Sequence, residues 1–325
     1  MADDNITIST YQLLKRFPNA EAARVHLEAQ RWPQGAICPD CGCVERIQPC
    51  KRLGKPGYYR CLSCQVVFTV RTGTIFERSH VPLDKWLFAM YLVLTARKGI
   101  SSIQLSKELG VTQKTAWFML QRIREACGND KDDDNDGNGF LRGIVEADET
   151  YLGGKEANKH EHKKLNMGRG AVGKTGVLGM RERNGHVKAV VLNGTTAPEI
   201  LGHIFANVLP GSTLCTDEHA SYQGLPPLGL FADIPNYDHR AVNHSAKEFV
   251  NGMAHTNGIE SVWALLKRGF YGTYHQFSRK HTQRYVDEVA FRLNEGNCKV
   301  KTMNRIDALF AKTIGVRLTY RNLCM

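Results

Sequence analysis

Apolar residues crowd most densely between Leu83 and Ala96, where Trp86, Leu87, Met90, Val93 and Leu94 predict a strongly buried helix. Ser101-Ser102 caps a short helix running to Leu109, Gly110 makes the turn, and Thr112 caps a last helix through Arg124. Ala116, Phe118, Met119 and Ile123 form the inward face of that last helix, and Gln113, Lys114 and Thr115 lead it. Upstream, two short helices are expected near Thr10–Arg16 and Asn19–Arg31, broken at Phe17-Pro18. Val66, Phe68 and Val70 alternate as a strand does. Beyond residue 142 the pattern changes to strands at Ile144–Asp148, Val177–Arg181 and His186–Leu192, the last two joined through the hairpin signal Asn184-Gly185. A helix at Pro198–Val208, a strand at Thr213–Thr216, a short strand at Ala241–Asn243 and helices at Gly258–Arg268 and Lys280–Asn294 complete the series.

Three strands with a hairpin, then helix, strand, strand and helix, is the order of an RNase H-like α/β core with a mixed sheet. The expected organisation is an N-terminal helical segment (1–34), a zinc ribbon (35–77), a helix-turn-helix region (80–128) and an acidic linker (129–141). The RNase H-like domain (142–296) and a basic C-terminal tail (297–325) follow. The linker contains Asp132, Asp134, Asp136 and Gly137, the opening of a calcium loop. Gly143 stands where such a loop needs its bidentate Glu, so the linker reading is kept.

The net charge of +11 is unevenly distributed. Residues 51–127 hold thirteen Lys/Arg against four Asp/Glu, and residues 296–325 six against one. Such basic concentrations point to nucleic acid as partner. No apolar run approaches the ~20 residues of a membrane span. The acidic start Met1-Ala2-Asp3-Asp4 lacks the form of a secretory signal. A cytosolic location follows, in which cysteines stay reduced and serve as ligands.

Cys38-Pro39-Asp40-Cys41 and Cys61-Leu62-Ser63-Cys64, nineteen residues apart, have the spacing of a four-thiolate site for one structural Zn²⁺. Cys43 and Cys50 are spare, and Cys43 leaves the ligand set open. Asp148 ends the first strand of the α/β core, Asp217 follows the strand Thr213–Thr216, and Glu260 lies on a later helix. Strand ends present side chains to a common crevice, and carboxylates suit Mg²⁺ bridging to phosphate. Glu146 shares a strand face with Asp148, and Glu218 adjoins Asp217, so both remain rivals. Glu149 faces the other way. Glu260 and Lys267, seven apart, share a helix face, although Asn257 and Glu260 also resemble a capping pair.

Gly168–Thr175 satisfies the P-loop pattern, but a P-loop follows a strand and opens a helix, whereas here a strand follows. A basic, Gly-rich loop meeting DNA phosphates through Arg169 and Lys174 fits better. Trp86, Trp117 and Trp263 sit among apolar neighbours as core residues; Tyr271, Tyr274 and His275 follow the helix of Glu260, where an unpaired base could stack.

Val145-Glu146-Ala147-Asp148-Glu149-Thr150-Tyr151-Leu152-Gly153-Gly154, Asp217 with Tyr222, and His255-Thr256-Asn257 with Glu260, Trp263 and Lys267 resemble the DDE catalytic domain of bacterial insertion-sequence transposases. The group resembled carries an N-terminal zinc ribbon and a helix-turn-helix. The resemblance implies a triad of Asp148, Asp217 and Glu260 binding two Mg²⁺ (or Mn²⁺) ions, with Asn257 as a candidate in place of the third acid. It implies that Lys267, beside Arg268, grips the element end. It further implies nucleoid-associated action on double-stranded DNA, both element ends and target, by a homodimer or higher assembly. Gln113, Lys114 and Thr115 are the expected base-reading residues. A catalytically inactive DNA-binding regulator is the alternative.

Overall fold

The computed structural model describes residues 6–50, 56–129, 139–154, 160–164, 173–228, 236–242, 255–296 and 300–324. The chain divides into two compact units, residues 1–132 with 295–325 and residues 133–294. Most of the acidic linker and Arg169 lie outside the described residues.

In the first unit, α1 (Thr10–Arg16) opens with a full capping box at Ser9 and Gln12, and α2 (Ala20–Arg31) is capped by Asn19. Three short strands, β1 (Ile47–Pro49), β2 (Tyr59–Cys61) and β3 (Val67–Phe68), form an antiparallel ribbon. The ribbon leans on the end of α2, where Trp32 meets Tyr59 and Phe68 edge-on at 5.6 Å and the Tyr59 hydroxyl donates to Glu28 Oε2.

Helix α3 (Leu83–Thr95) is buried on nearly every side and forms the centre of this unit. The pair α4 (Ser102–Leu109) and α5 (Gln113–Cys127) is joined through Gly110 in the left-handed conformation (φ 59°), with Thr112 capping α5. Helix, glycine turn, helix is thus present as the pattern of apolar residues suggested.

The chain returns to this unit after the second, and within the segment expected as a basic tail (297–325) the described residues 300–324 contribute to its core. After the second unit, α9 (Thr302–Lys312) buries Ile306, Leu309 and Phe310, with Phe310 stacked on Phe76. Arg305 donates to Leu94 O, and the nearly buried Lys312 donates to Asn129 O. Two of the basic groups counted toward a DNA-facing tail therefore satisfy backbone carbonyls. The short α10 (Tyr320–Cys324) lays Tyr320 against Phe118 and under the Lys114 ammonium, 4.9 Å from its ring centroid.

The second unit is built on a five-stranded mixed sheet in the order β6-β5-β4-β7-β8. Its strands are β4 (Ile144–Leu152), β5 (Thr175–Glu182), β6 (Val187–Val191), β7 (Thr213–Thr216) and β8 (Asp238–Ala241). The first three are antiparallel neighbours; β4–β7 and β7–β8 are parallel. This is the RNase H-like arrangement. The last strand ends at Ala241 rather than running from there to Asn243.

Residues alternate between two cores. Val145, Ala147, Leu178 and Met180 pack with Ile200 and Ile204 of α6 (Ala197–Asn207) on one face. Leu152, Val177 and Val187 pack on the other face with α7 (Asn257–Gly269) and α8 (Thr282–Asn294). Because β4 is central and covered on both sides, any polar group it carries needs a partner. Among the described residues no helix is long and apolar enough to cross a membrane.

Candidate active site

Strand alternation turns Glu146 and Asp148 toward α7. The approach of that helix depends on Gly179, Asp148's register partner on β5. A Cβ at Gly179 would stand 2.5 Å from the Trp263 ring, so only glycine lets the indole lie on the sheet. Trp263 Nε1 then donates to Asp148 Oδ2 at 2.9 Å. Trp263, read from sequence as core, is buried but also orients an acid through its single polar atom. Nothing in the alternation of β5 singles out Gly179.

The start of α7 is held by the sheet rather than by its own cap. Thr256, the N-cap residue, makes no side-chain bond to the helix backbone, and Asn257 is already the first helical residue. Instead Glu146, only 2% exposed, reaches across and accepts the Ile259 N–H at 3.0 Å. A carboxylate there complements the positive end of the helix dipole. Glu146 also pairs with Arg183 at 3.4 Å, and His255 Nδ1 stands 3.3 Å away, off the line of a hydrogen bond. Arg181 donates to Gly258 O and Ser261 Oγ, adding a second clamp from β5. The two acids on this shared face thus differ in their partners: the Glu146 carboxylate is committed to the helix start, while Asp148 has one oxygen on the indole.

Asp217 follows β7 and accepts the His219 N–H at 3.0 Å. Glu260 is exposed on the first turn of α7 and accepts from the Thr256 hydroxyl. Burial pushes the Asp148 carboxyl up to about 6, and the charges of Asp217 and Glu260 push in the same direction, against the indole bond that favours the carboxylate. Asp148 thus feels the charges of the other two acids of the sequence motif. Glu149, on the opposite face beside Tyr222, is raised to about 7, again chiefly by burial. Glu218 is exposed. Lys267 and Arg268 are exposed two turns beyond Glu260.

Among the described residues only Cys38, Cys41, Cys61 and Cys64 form a group of three or more whose ligand atoms all lie within 4.8 Å of one another. Cys38–Cys64 and Cys41–Cys61 sulfur distances are 3.5 and 3.6 Å. Tetrahedral zinc with bonds of ~2.3 Å has an S–S edge of about 3.8 Å, so the donors fit the ion. The Cys64 backbone N–H, opposed by burial and helped by that of Ser63, pulls the Cys61 thiol down to about 6, whereas burial and the neighbouring sulfurs push Cys41 and Cys64 up. Cys43 stays outside the cluster, accepting from Ser63 Oγ.

At the start of α5, Gln113 and Lys114 are exposed and Thr115 half-buried. Gln113 donates to Ser102 Oγ, and Thr115 bonds the capping Thr112. Lys174 borders β5, and Thr175 begins that strand rather than a helix, against the P-loop context.

Comparison with known proteins gives a consistent result. Residues 140–294 match the ISXO2-like transposase domain, and residues 18–66 match the transposase zinc-ribbon domain. An uncharacterized protein in transposable element ISH50 of Halobacterium salinarum is 29% identical over 267 residues, covering 78% of this chain and 84% of that protein.

Proposed function

We infer, from a chain that carries a transposase zinc ribbon followed by an ISXO2-like transposase domain, that it cuts DNA at the ends of a mobile element and joins the freed 3′-hydroxyls to target DNA. What supports this reading is that the Trp263–Asp148 hydrogen bond ties α7, the helix bearing Glu260, to the strand bearing Asp148, while β7, which leads into Asp217, pairs with that same strand. Their all-oxygen donor set fits Mg²⁺ or Mn²⁺, and Asp148 keeps one carboxylate oxygen clear of its indole partner. Asp148, Asp217 and Glu260 would hold the ions, which supply Lewis-acid stabilisation of charge at the scissile phosphate.

The remaining work falls to the chain itself. Trp263 fixes the carboxylate of Asp148 against rotation, and Glu146 with Arg181 fixes the turn that carries Glu260. Lys267 and Arg268 lie about 10 Å along the helix from Glu260, the rise of seven residues, and grip the phosphates of the strand running away from the cut. Lys174, with Arg169, holds a further phosphate. Gln113, Lys114 and Thr115 read base edges of the terminal repeat, once their bonds to Ser102, Tyr320 and Thr112 are exchanged for DNA. Both chemical steps are in-line displacements at phosphorus, so one acid cluster serves both. Two ends must be handled together, which calls for at least a dimer on DNA.

The test uses the full chain and a duplex of the inverted repeat flanking the coding region. Wild-type protein with Mg²⁺ is expected to release a 3′-hydroxyl end and join it to a second duplex. Asp217→Asn is expected to lose roughly three orders of magnitude or more in cutting while binding the duplex undiminished. Undiminished cutting by Asp217→Asn, or cutting without a divalent ion, sinks the assignment; binding without cutting by the wild type favours a DNA-binding regulator.

A further inference from the structure

At the end of β4 the α/β unit forms a partly open cavity of about 660 Å³, within the range of ~300–1,000 Å³ that holds small-molecule groups. One wall is backbone-rich, with Gly153, Gly154 and Gly194; Lys174, Tyr271 and Arg279 project from the others. Among the described residues Lys174 has no hydrogen-bond or ion-pair partner, and its stem lies against Gly153, where a Cβ would come within 3.2 Å of it. Arg279 is anchored through Nη2 to Asn193 O, which leaves its other nitrogens available. Tyr271 is 58% exposed, with its ring braced edge-on by Phe270 at 5.0 Å.

The segment shaping this wall is conformationally unusual. Residues Phe270–Tyr274 form one π-helical turn, and His275 closes it at φ 60°, ψ −38°, a strained backbone for a non-glycine residue. Such strain concentrates at ligand sites. Tyr151 also lines the cavity, and its phenol is pushed up by burial and by the charges of Glu149, Asp148 and Asp217. The cavity therefore lies at the end of β4, its lining beginning three residues beyond Asp148.

We propose that this cavity receives one unpaired nucleotide of the DNA strand next to the scissile phosphate. Its base stacks on Tyr271 and its phosphate lies against Lys174 and the glycine backbone. The proposal rests on the transposase reading and adds a substrate requirement to it: the end must open by one base. A cation unpaired among the described residues and a braced aromatic face at one cavity match the two things a nucleotide offers, a charged phosphate and a π surface. An apolar small molecule would leave Lys174 buried against it without a partner. Drawing a base out of its pair costs least at a frayed end, so the cavity favours termini over interior duplex.

The test compares binding of the full chain, without added magnesium, to two versions of the flanking inverted repeat. Both end in one unpaired nucleotide on the strand to be cut; in one that nucleotide lacks its base. Wild-type protein is expected to prefer the base-bearing end by about tenfold, Tyr271→Ala to lose the preference, and Tyr271→Phe to keep it. Lys174→Ala is expected to weaken both complexes alike and to lower the salt dependence by about one phosphate contact. Equal binding of both ends by wild-type protein, or a preference that survives Tyr271→Ala, overturns the proposal. Because the preference is read from binding, it can fail while Asp217-dependent cutting stands, and stand if that cutting fails.

Discussion

Replacing Glu146 with alanine is expected to destabilise the α/β unit by about 2–3 kcal/mol, because it takes the acceptor away from the buried Ile259 N–H and the charge away from the start of α7. The carboxylate is 2% exposed and serves the Ile259 N–H and the Arg183 guanidinium at once. Against a typical domain stability of about 5–15 kcal/mol, that loss is a large share. Glu146→Gln keeps an oxygen for the helix N–H and gives up only the charge, so about 1–2 kcal/mol is expected. Urea unfolding of the full chain and its two variants measures both. If Glu146→Ala unfolds within about 0.5 kcal/mol of wild type, as an ordinary surface substitution does, the strand-to-helix clamp described here is wrong. The functional corollary is that Glu146→Gln retains cutting at temperatures where it stays folded, whereas substitution of an acid that holds metal does not.

Removing zinc is expected to have a still larger effect on the ribbon. Strands of three, three and two residues bury too little to fold unaided. Structural zinc contributes about 10–16 kcal/mol in comparable small units. Metal analysis is expected to find one zinc per chain, and chelation to open residues 35–70 to protease. Cys41→Ser is expected to lose the metal and Cys43→Ser to keep it, since Cys43 lies outside the sulfur cluster. Retention by Cys41→Ser with loss by Cys43→Ser would reassign the ligand set.

The parts of the molecule that were legible in its sequence are those written in local periodicity or fixed spacing. Thr213–Thr216 and the helix Ser102–Leu109 were readable to the residue because a cap, a glycine or an acid marks each end. The two Cys-x-x-Cys pairs identified their own cluster. Contacts between distant segments were not legible. Asn257 and Glu260 have the spacing of a cap, yet the helix is capped from 113 residues upstream by Glu146, a partner that no local pattern encodes. Gly179 is one glycine in an ordinary strand until Trp263 is laid over it. The C-terminal basic residues look solvated in sequence, but Arg305 and Lys312 are tied to carbonyls of the N-terminal unit. Alternation did foretell one tertiary fact, that Glu146 and Asp148 share a face, and their partners divide along the strand: the inner carboxylate anchors the start of α7 and the outer one accepts from the Trp263 indole.

That division is tested most directly by locating bound metal. Crystals of the full chain grown or soaked with Mn²⁺ should show anomalous scattering bounded by the carboxylates of Asp148, Asp217 and Glu260, with Glu146 still on the Ile259 N–H and uninvolved. Manganese ligated by Glu146 in place of Asp148, or no manganese at these acids when DNA ends are also present, would contradict the account.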